Sequence, residues 1–181
     1  MKRNVIVFGL ISGLMVSAWM LCGVYLCYNS RGSFEGNMLL GYASMILAFS
    51  LVFVAVKNYR DKYNNGVISF GKAFKLGFYI ALIASTMYVL VWLVDYYLFV
   101  PDFMDKYSAH IISQAKSSGK SAGEIADQIK EMSSMKEMYK SPIMVILITY
   151  MEILPIGLLV SLIAALILKR KAGNDSAVAA G

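Results

Sequence analysis

The sequence predicts an all-α integral membrane protein: a bundle of four transmembrane helices with an extracytoplasmic helical hairpin before the last of them. Three observations carry that prediction. The 181-residue chain is 59% hydrophobic and only 15% charged, with a mean hydropathy of +0.63, too apolar for a soluble core of this size. Its apolar runs reach the roughly 20 residues that cross about 30 Å of hydrocarbon as a helix. Its unbalanced cations gather at one set of run ends, where lysine and arginine hold short loops on the cytoplasmic side. The length is that of one domain, read as a single membrane domain over residues 1–171 followed by a disordered cytoplasmic tail, 172–181.

The first crossing is expected at about 5–28, after Lys2 and Arg3. Its apolar stretch outruns a signal-peptide core and ends in no A-x-A-like site, so it reads as an uncleaved helix. Tyr25 and Tyr28 mark its far interface, and a loop with Gly32 and Gly36, and with Arg31 balanced by Glu35, turns the chain back. The second crossing, about 38–56, returns it to a cationic joint, Lys57 to Gly77, in which Lys57, Arg60, Lys62, Lys72 and Lys75 are offset only by Asp61. Asn64-Asn65-Gly66 is a turn signal inside that joint, and Ser69 to Gly77 an amphipathic lead-in. The third crossing, about 73–100, ends at Pro101, with Trp92, Tyr96, Tyr97 and Phe99 read as an interfacial aromatic belt.

Residues 101–142 form the one substantial polar insert. Gly119 is placed to end a first helix in a left-handed cap, and Ser121-Ala122-Gly123-Glu124 to open a second with a capping box. Ile125, Ile129, Met132 and Met135 recur on one face of that second helix at helical spacing. The fourth crossing, about 143–168, ends at Lys169-Arg170-Lys171. An Asn174-Asp175-Ser176 sequon in the tail is discounted, because the expected topology puts it on the cytoplasmic side.

The two chain ends and the joint hold ten cations against Asp61 and Asp175, whereas the intervening loops hold seven cations against seven acids. That asymmetry predicts an even number of crossings with both termini cytoplasmic, in a bacterial inner membrane. It also explains the net charge of +6 without nucleic acid, since the excess sits at run ends rather than on a free basic face. The partners expected are the lipid bilayer and a second copy or other membrane proteins. Cys22 and Cys27 are five residues apart on one helix and point to different faces, so no internal disulfide is expected and both read as small packing residues.

No catalytic set is evident. One histidine, His110, supplies no multi-His site, no His/Cys cluster has zinc spacing, and no phosphate-cradling loop or nucleophile elbow occurs. No metal, cofactor or enzymatic activity is expected. Two acids do interrupt apolar runs, and intramembrane ionisable groups default to a functional hypothesis. Asp95 lies six residues before Pro101, roughly 9 Å of helix rise, and reads as a solvated interfacial acid. Glu152 lies ten residues after Pro142, roughly 15 Å into the membrane, beside Tyr150 and ahead of Pro155. Glu152 is therefore the candidate site, with Asp95 and Tyr150 as weaker candidates. It reads either as a neutral or tyrosine-bonded carboxyl joining helices or as a transport or binding group.

Three small-residue rows, Gly9/Gly13/Ser17, Gly77/Ala81/Ser85 and Gly157/Ser161/Ala165, allow close helix approach in lipid. All are expected in the cytoplasmic halves of their crossings, with the acids and most tyrosines in the opposite halves. The bundle is accordingly expected to be tight inside and looser outside, with the hairpin over the opening.

The run Gly66-Val67-Ile68-Ser69-Phe70-Gly71-Lys72-Ala73-Phe74-Lys75-Leu76-Gly77, and the run Glu152-Ile153-Leu154-Pro155-Ile156-Gly157-Leu158-Leu159 to Ser161-Leu162-Ile163, resemble an uncharacterised bacterial membrane family, domain of unknown function 4199, found chiefly in Bacteroidetes. The resemblance covers nearly the whole chain to Lys171. It implies a four-helix inner-membrane protein with a helical insert before the last crossing, and it brings no reaction, ligand or catalytic residue. Two functional expectations remain: a non-enzymatic protein acting through its hairpin or bundle, or a small oligomeric transporter or proton-linked carrier that uses Glu152.

Overall fold

The computed structural model describes residues 1–29 and 38–171. The expected loop around Gly32 and Gly36 and the expected tail with its sequon lie outside them. Among the described residues the chain is helical throughout: α1 (Lys2–Asn29), α2 (Met38–Phe49), α3 (Leu51–Tyr63), α4 (Phe70–Leu98), α5 (Phe103–Ser117), α6 (Ala122–Tyr139) and α7 (Pro142–Leu168). Four helices are long and apolar enough to cross a membrane: α1, the α2–α3 pair from Gly41 to Tyr63, α4 and α7. Large apolar side chains point outward all around them, among them Leu26, Leu47, Leu98, Met151 and Ile167. Such a surface is costly in water and free of cost against lipid tails.

The second apolar helix differs from its expected form. It does not stop at Val56 but runs to Tyr63, so Lys57, Arg60 and Lys62 ride on its last turns rather than on a loop. A break at Ser50, whose hydroxyl donates to the Leu47 carbonyl at 2.6 Å, separates α2 from α3. The Asn64–Gly66 turn then reverses the chain through left-handed backbone at Asn65 (φ 51°) and Gly66 (φ 76°). There the Asn64 side chain donates to the Val67 carbonyl and accepts from Lys72 Nζ. The lead-in after Ser69 is the first turn of α4 itself, with the Ser69 hydroxyl capping Lys72 N–H.

One end of the bundle holds the start of α1, the end of α3, the α3–α4 turn and the α7 terminus together. Ile68 and Arg170 form an antiparallel bridge with backbone bonds of 2.9 and 2.8 Å. Arg60 Nη1 donates to the Leu168 carbonyl at the end of α7, where exposed carbonyls carry partial negative charge. Asn4 donates to the Ala55 carbonyl and accepts from Asn58. The cationic joint and the cationic end of α7 thus hold the fold together beside any sorting by the bilayer.

α4 is the most buried of the four long helices and packs mainly on α7 and α1. All nine small-row residues are buried. A Cβ built on Gly77 would stand 2.8 Å from Ser161, one on Gly157 would stand 2.8 Å from Ala81, and one on Gly9 would stand 2.9 Å from Ile83. The rows of α4 and α7 therefore face each other, and the α1 row faces the α4 positions Ile83, Ala84 and Met87. Of the two cysteines, Cys22 is exposed and so does not pack within the bundle, whereas Cys27 is half-buried.

The last members of two of the three rows correct the expected pattern. Ser17 and Ser85 do not lie within the basic-end halves of their crossings but near the middles of α1 and α4, because both rows advance toward the hairpin. Their buried hydroxyls have no hydrogen-bond partner among the described residues, whereas the Ser161 hydroxyl donates to the Gly157 carbonyl at 2.7 Å. Small size, rather than a hydrogen bond across helices, is thus what Ser17 and Ser85 bring to the packing. Ala165 does keep to the basic end, because the α7 row advances the other way. It is fully buried in the apolar core, and its carbonyl accepts Lys169 N–H as the helix closes.

Gly157→Ala should lower stability by about 1–3 kcal/mol, the usual cost of overpacking, because both neighbours, Ala81 and Phe49, are fully buried. Gly23→Ala, with no atom within 4 Å, should be neutral or slightly stabilising. Thermal unfolding in detergent checks the contrast, and equal effects at the two positions would contradict the seam.

Candidate functional site

Toward the hairpin the small residues give way to rings. α4 places Tyr88, Trp92 and Tyr96 one turn apart on its inward face, and all three are buried. α5 and α6 lie across this end, with the expected left-handed Gly119 (φ 73°) and the Ser121–Glu124 capping box between them. Phe103 of α5 stands edge-on to Trp92 at 5.0 Å and stacks on Tyr107 at 5.9 Å. Tyr139 of α6 stands edge-on to Tyr96 at 5.3 Å. Rings of this size do not close to the spacing that glycine and alanine permit.

Beneath them lies a cavity of about 500 Å³, within the range of small-molecule sites. Each long contributing helix offers residues three or four apart: Met20 and Val24 from α1, Tyr88 and Trp92 from α4, Ile148, Thr149 and Glu152 from α7. The hairpin adds Phe103, Met104 and Tyr107 from α5 and Met135 and Tyr139 from α6, and α2 adds Gly41 and Tyr42. Among the described residues Glu152 is the one carboxylate on the wall, and no lysine, arginine or histidine joins it there. It lines the cavity and keeps accessible surface. The charge reaches the hairpin: burial first, and Glu152 next, push the Tyr107 hydroxyl up, and the same two causes push Tyr139 up to about 12. Both phenols therefore stay protonated as donors at neutral pH.

The three candidate residues do not converge. Asp95 is not a solvated interfacial acid: it is only 9% exposed, and its Oδ2 has no hydrogen-bond partner among the described residues. The α4 face that carries it packs beside α1, next to a smaller cavity shared with Leu21 and Phe99, which lies away from Glu152. Tyr150 donates to Thr86 Oγ1 of α4 at 2.7 Å rather than to Glu152, so the tyrosine-bonded form of the carboxyl is not made by its neighbour. α7 continues unbroken through Pro155. The aromatic belt also divides. Tyr97 and Phe99 face outward, whereas Trp92 and Tyr96 turn into the bundle. Among the described residues no group of three or more His, Cys, Asp or Glu comes together to hold a metal ion.

The hairpin is tied down at its edges. Asp102, at the start of α5, accepts from the Tyr28 hydroxyl of α1 at 2.8 Å and pairs with Lys106 at 2.7 Å, while Lys106 Nζ stands 4.0 Å over the Tyr28 ring. Lys136 of α6 pairs with Asp105 of α5 at 2.6 Å.

A family model described as a protein of unknown function (DUF4199) matches residues 7–170. No curated protein and no solved structure matches the chain.

The Lys106 ammonium, and then the Tyr28 hydroxyl, hold the Asp102 carboxyl below its ordinary 3.8. A depressed carboxylate contributes stability above its unfolded value and loses it as pH falls through the folded one. Asp102→Asn should therefore give a small drop in melting temperature at pH 7 that shrinks as pH is taken below 3.8. A difference that is constant with pH, or absent at pH 7, would show that the latch contributes nothing.

Proposed function

Since the chain belongs to the DUF4199 family of proteins of unknown function, which supplies no activity to transfer, we propose its function from the site: a non-enzymatic multi-pass membrane protein that holds a small molecule at Glu152. The observation that carries this reading is a carboxylate, the one among the described lining residues, on the wall of a mostly apolar and aromatic cavity under the hairpin. A carboxylate kept within a bundle without a counter-cation is expensive, and ligand sites are mostly apolar pockets with a few placed polar groups. The membrane is the bacterial inner membrane, with the termini cytoplasmic and the hairpin outside, because cations collect at the opposite end.

The competing reading, an interaction protein whose hairpin is a docking surface, is weakened by the hairpin's own packing. Met132 is buried at 5% exposure and Met135 lines the cavity, which leaves Ile129 as the one exposed member of the four-residue face. A proton-linked carrier would use the same Glu152 and would work as an oligomer, four crossings being few for one carrier subunit.

The test is thiol labelling of spheroplasts with a membrane-impermeant reagent, in a background with Cys22 and Cys27 replaced by serine. Ser117→Cys at the hairpin and Glu152→Cys, or Ile148→Cys if that variant folds poorly, should label from outside. Ser161→Cys should label only after denaturation. Equal protection at 152 and 161 would remove the binding cavity, and an unlabelled Ser117→Cys would reverse the orientation.

A further inference from the structure

We propose that the Glu152 cavity takes a monovalent organic cation, an ammonium group carried on an apolar body, a proposal that rests on the small-molecule reading above. Charge is the first reason. Among the described residues the wall contributes one negative group and no positive one, so an occupant with a single positive charge neutralises it, whereas an anion or a neutral molecule leaves it unpaired in surroundings that penalise charge.

The rings are the second reason. Tyr88, Trp92, Tyr107 and Tyr139 line the same space as the carboxylate. Trp92 lines the cavity with its ring, and aromatic faces attract ammonium groups, most strongly when they are desolvated. Tyr107 and Tyr139 remain neutral phenols with their rings electron-rich.

The remaining lining sets the class more narrowly. A hard divalent ion needs about six to eight oxygen ligands, and the wall offers one carboxylate, so an organic cation fits the site where a calcium-like ion does not. Met20, Met104 and Met135 supply flexible, polarisable surface that adapts to varied apolar shapes. The recognition is therefore strict for charge and loose for the body that carries it.

The experiment uses the full chain in detergent with Trp19→Phe, which leaves Trp92 as the single tryptophan, since the chain has two. Benzyltrimethylammonium is titrated against its uncharged carbon isostere, neopentylbenzene, with Trp92 fluorescence as the readout. The cation should bind at least roughly tenfold more tightly than the isostere, as expected for desolvated cation–π and charge pairing. Glu152→Gln should erase that preference, Glu152→Asp should keep it, and Tyr107→Leu should weaken it with the carboxylate intact. Equal binding of the two probes, unchanged by Glu152→Gln, would overturn the cation and leave the small-molecule site standing. Binding of neither probe, while Glu152→Cys still labels, would also overturn the cation alone. Binding of neither, with Glu152→Cys protected, would remove both.

Discussion

The contact on which the rest of the fold depends is the approach of α4 to α7 through Gly77, Ala81, Gly157 and Ser161. In lipid no hydrophobic effect drives helices together, so dispersion contacts between close backbones must do it. A single methyl added at Gly77 or Gly157 meets another heavy atom at 2.8 Å, which shows that no slack remains there. With α1 seated on the other face of α4 through Gly9 and Gly13, the helices are gripped along one half of their length. The antiparallel bridge between Ile68 and Arg170 and the Arg60 bond to the α7 terminus reinforce the same end.

From that grip the opposite half follows. Past Ser17 and Ser85 the helices emerge carrying Tyr88, Trp92 and Tyr96 in place of alanine and serine, and rings hold their neighbours farther off. Instead of collapsing, the space is covered by the hairpin, whose Phe103, Tyr107 and Tyr139 complete an aromatic roof. Glu152 stands in the volume left over. The chain of cause runs from residue size along α4 and α7, through unequal packing, to a cavity with one charge in it, and so to the kind of molecule that fits.

Much of this was legible in the sequence for particular reasons. Apolar runs give crossings because the hydrocarbon has a fixed thickness, and Glu152 stands out because an ionisable group in such a run is costly. Small residues at four-residue spacing read correctly as seams, although Ser17 and Ser85 reach the middle of the bundle and Ala165 its basic end. Gly119 and Ser121–Glu124 read correctly as the hairpin corner. The rings were not legible as walls of a cavity. Tyr88 carried no signal at all, and Trp92 and Tyr96 near the end of a crossing fit an interfacial belt equally well; which way they turn depends on what α5 and α6 place beside them. Asp95 misled for the same reason, since distance from Pro101 measures depth along a helix and says nothing of which face carries the side chain. The extension of α3 past Val56 was hidden because charged residues continue a helix as readily as they end a crossing.

The central claim is that one bundle has a filled half and an unfilled half, and added volume measures it most directly. Ile148 lines the cavity and Ser161 lies in the seam, both on α7. The unfolding midpoint of Ile148→Trp should shift by less than the about 2–4 °C that 1 kcal/mol produces in a chain of this size. Ser161→Trp should lower it by several times that amount. Equal losses at both positions would mean that the hairpin half is as tightly packed as the seam, and the cavity with its lone carboxylate would not exist.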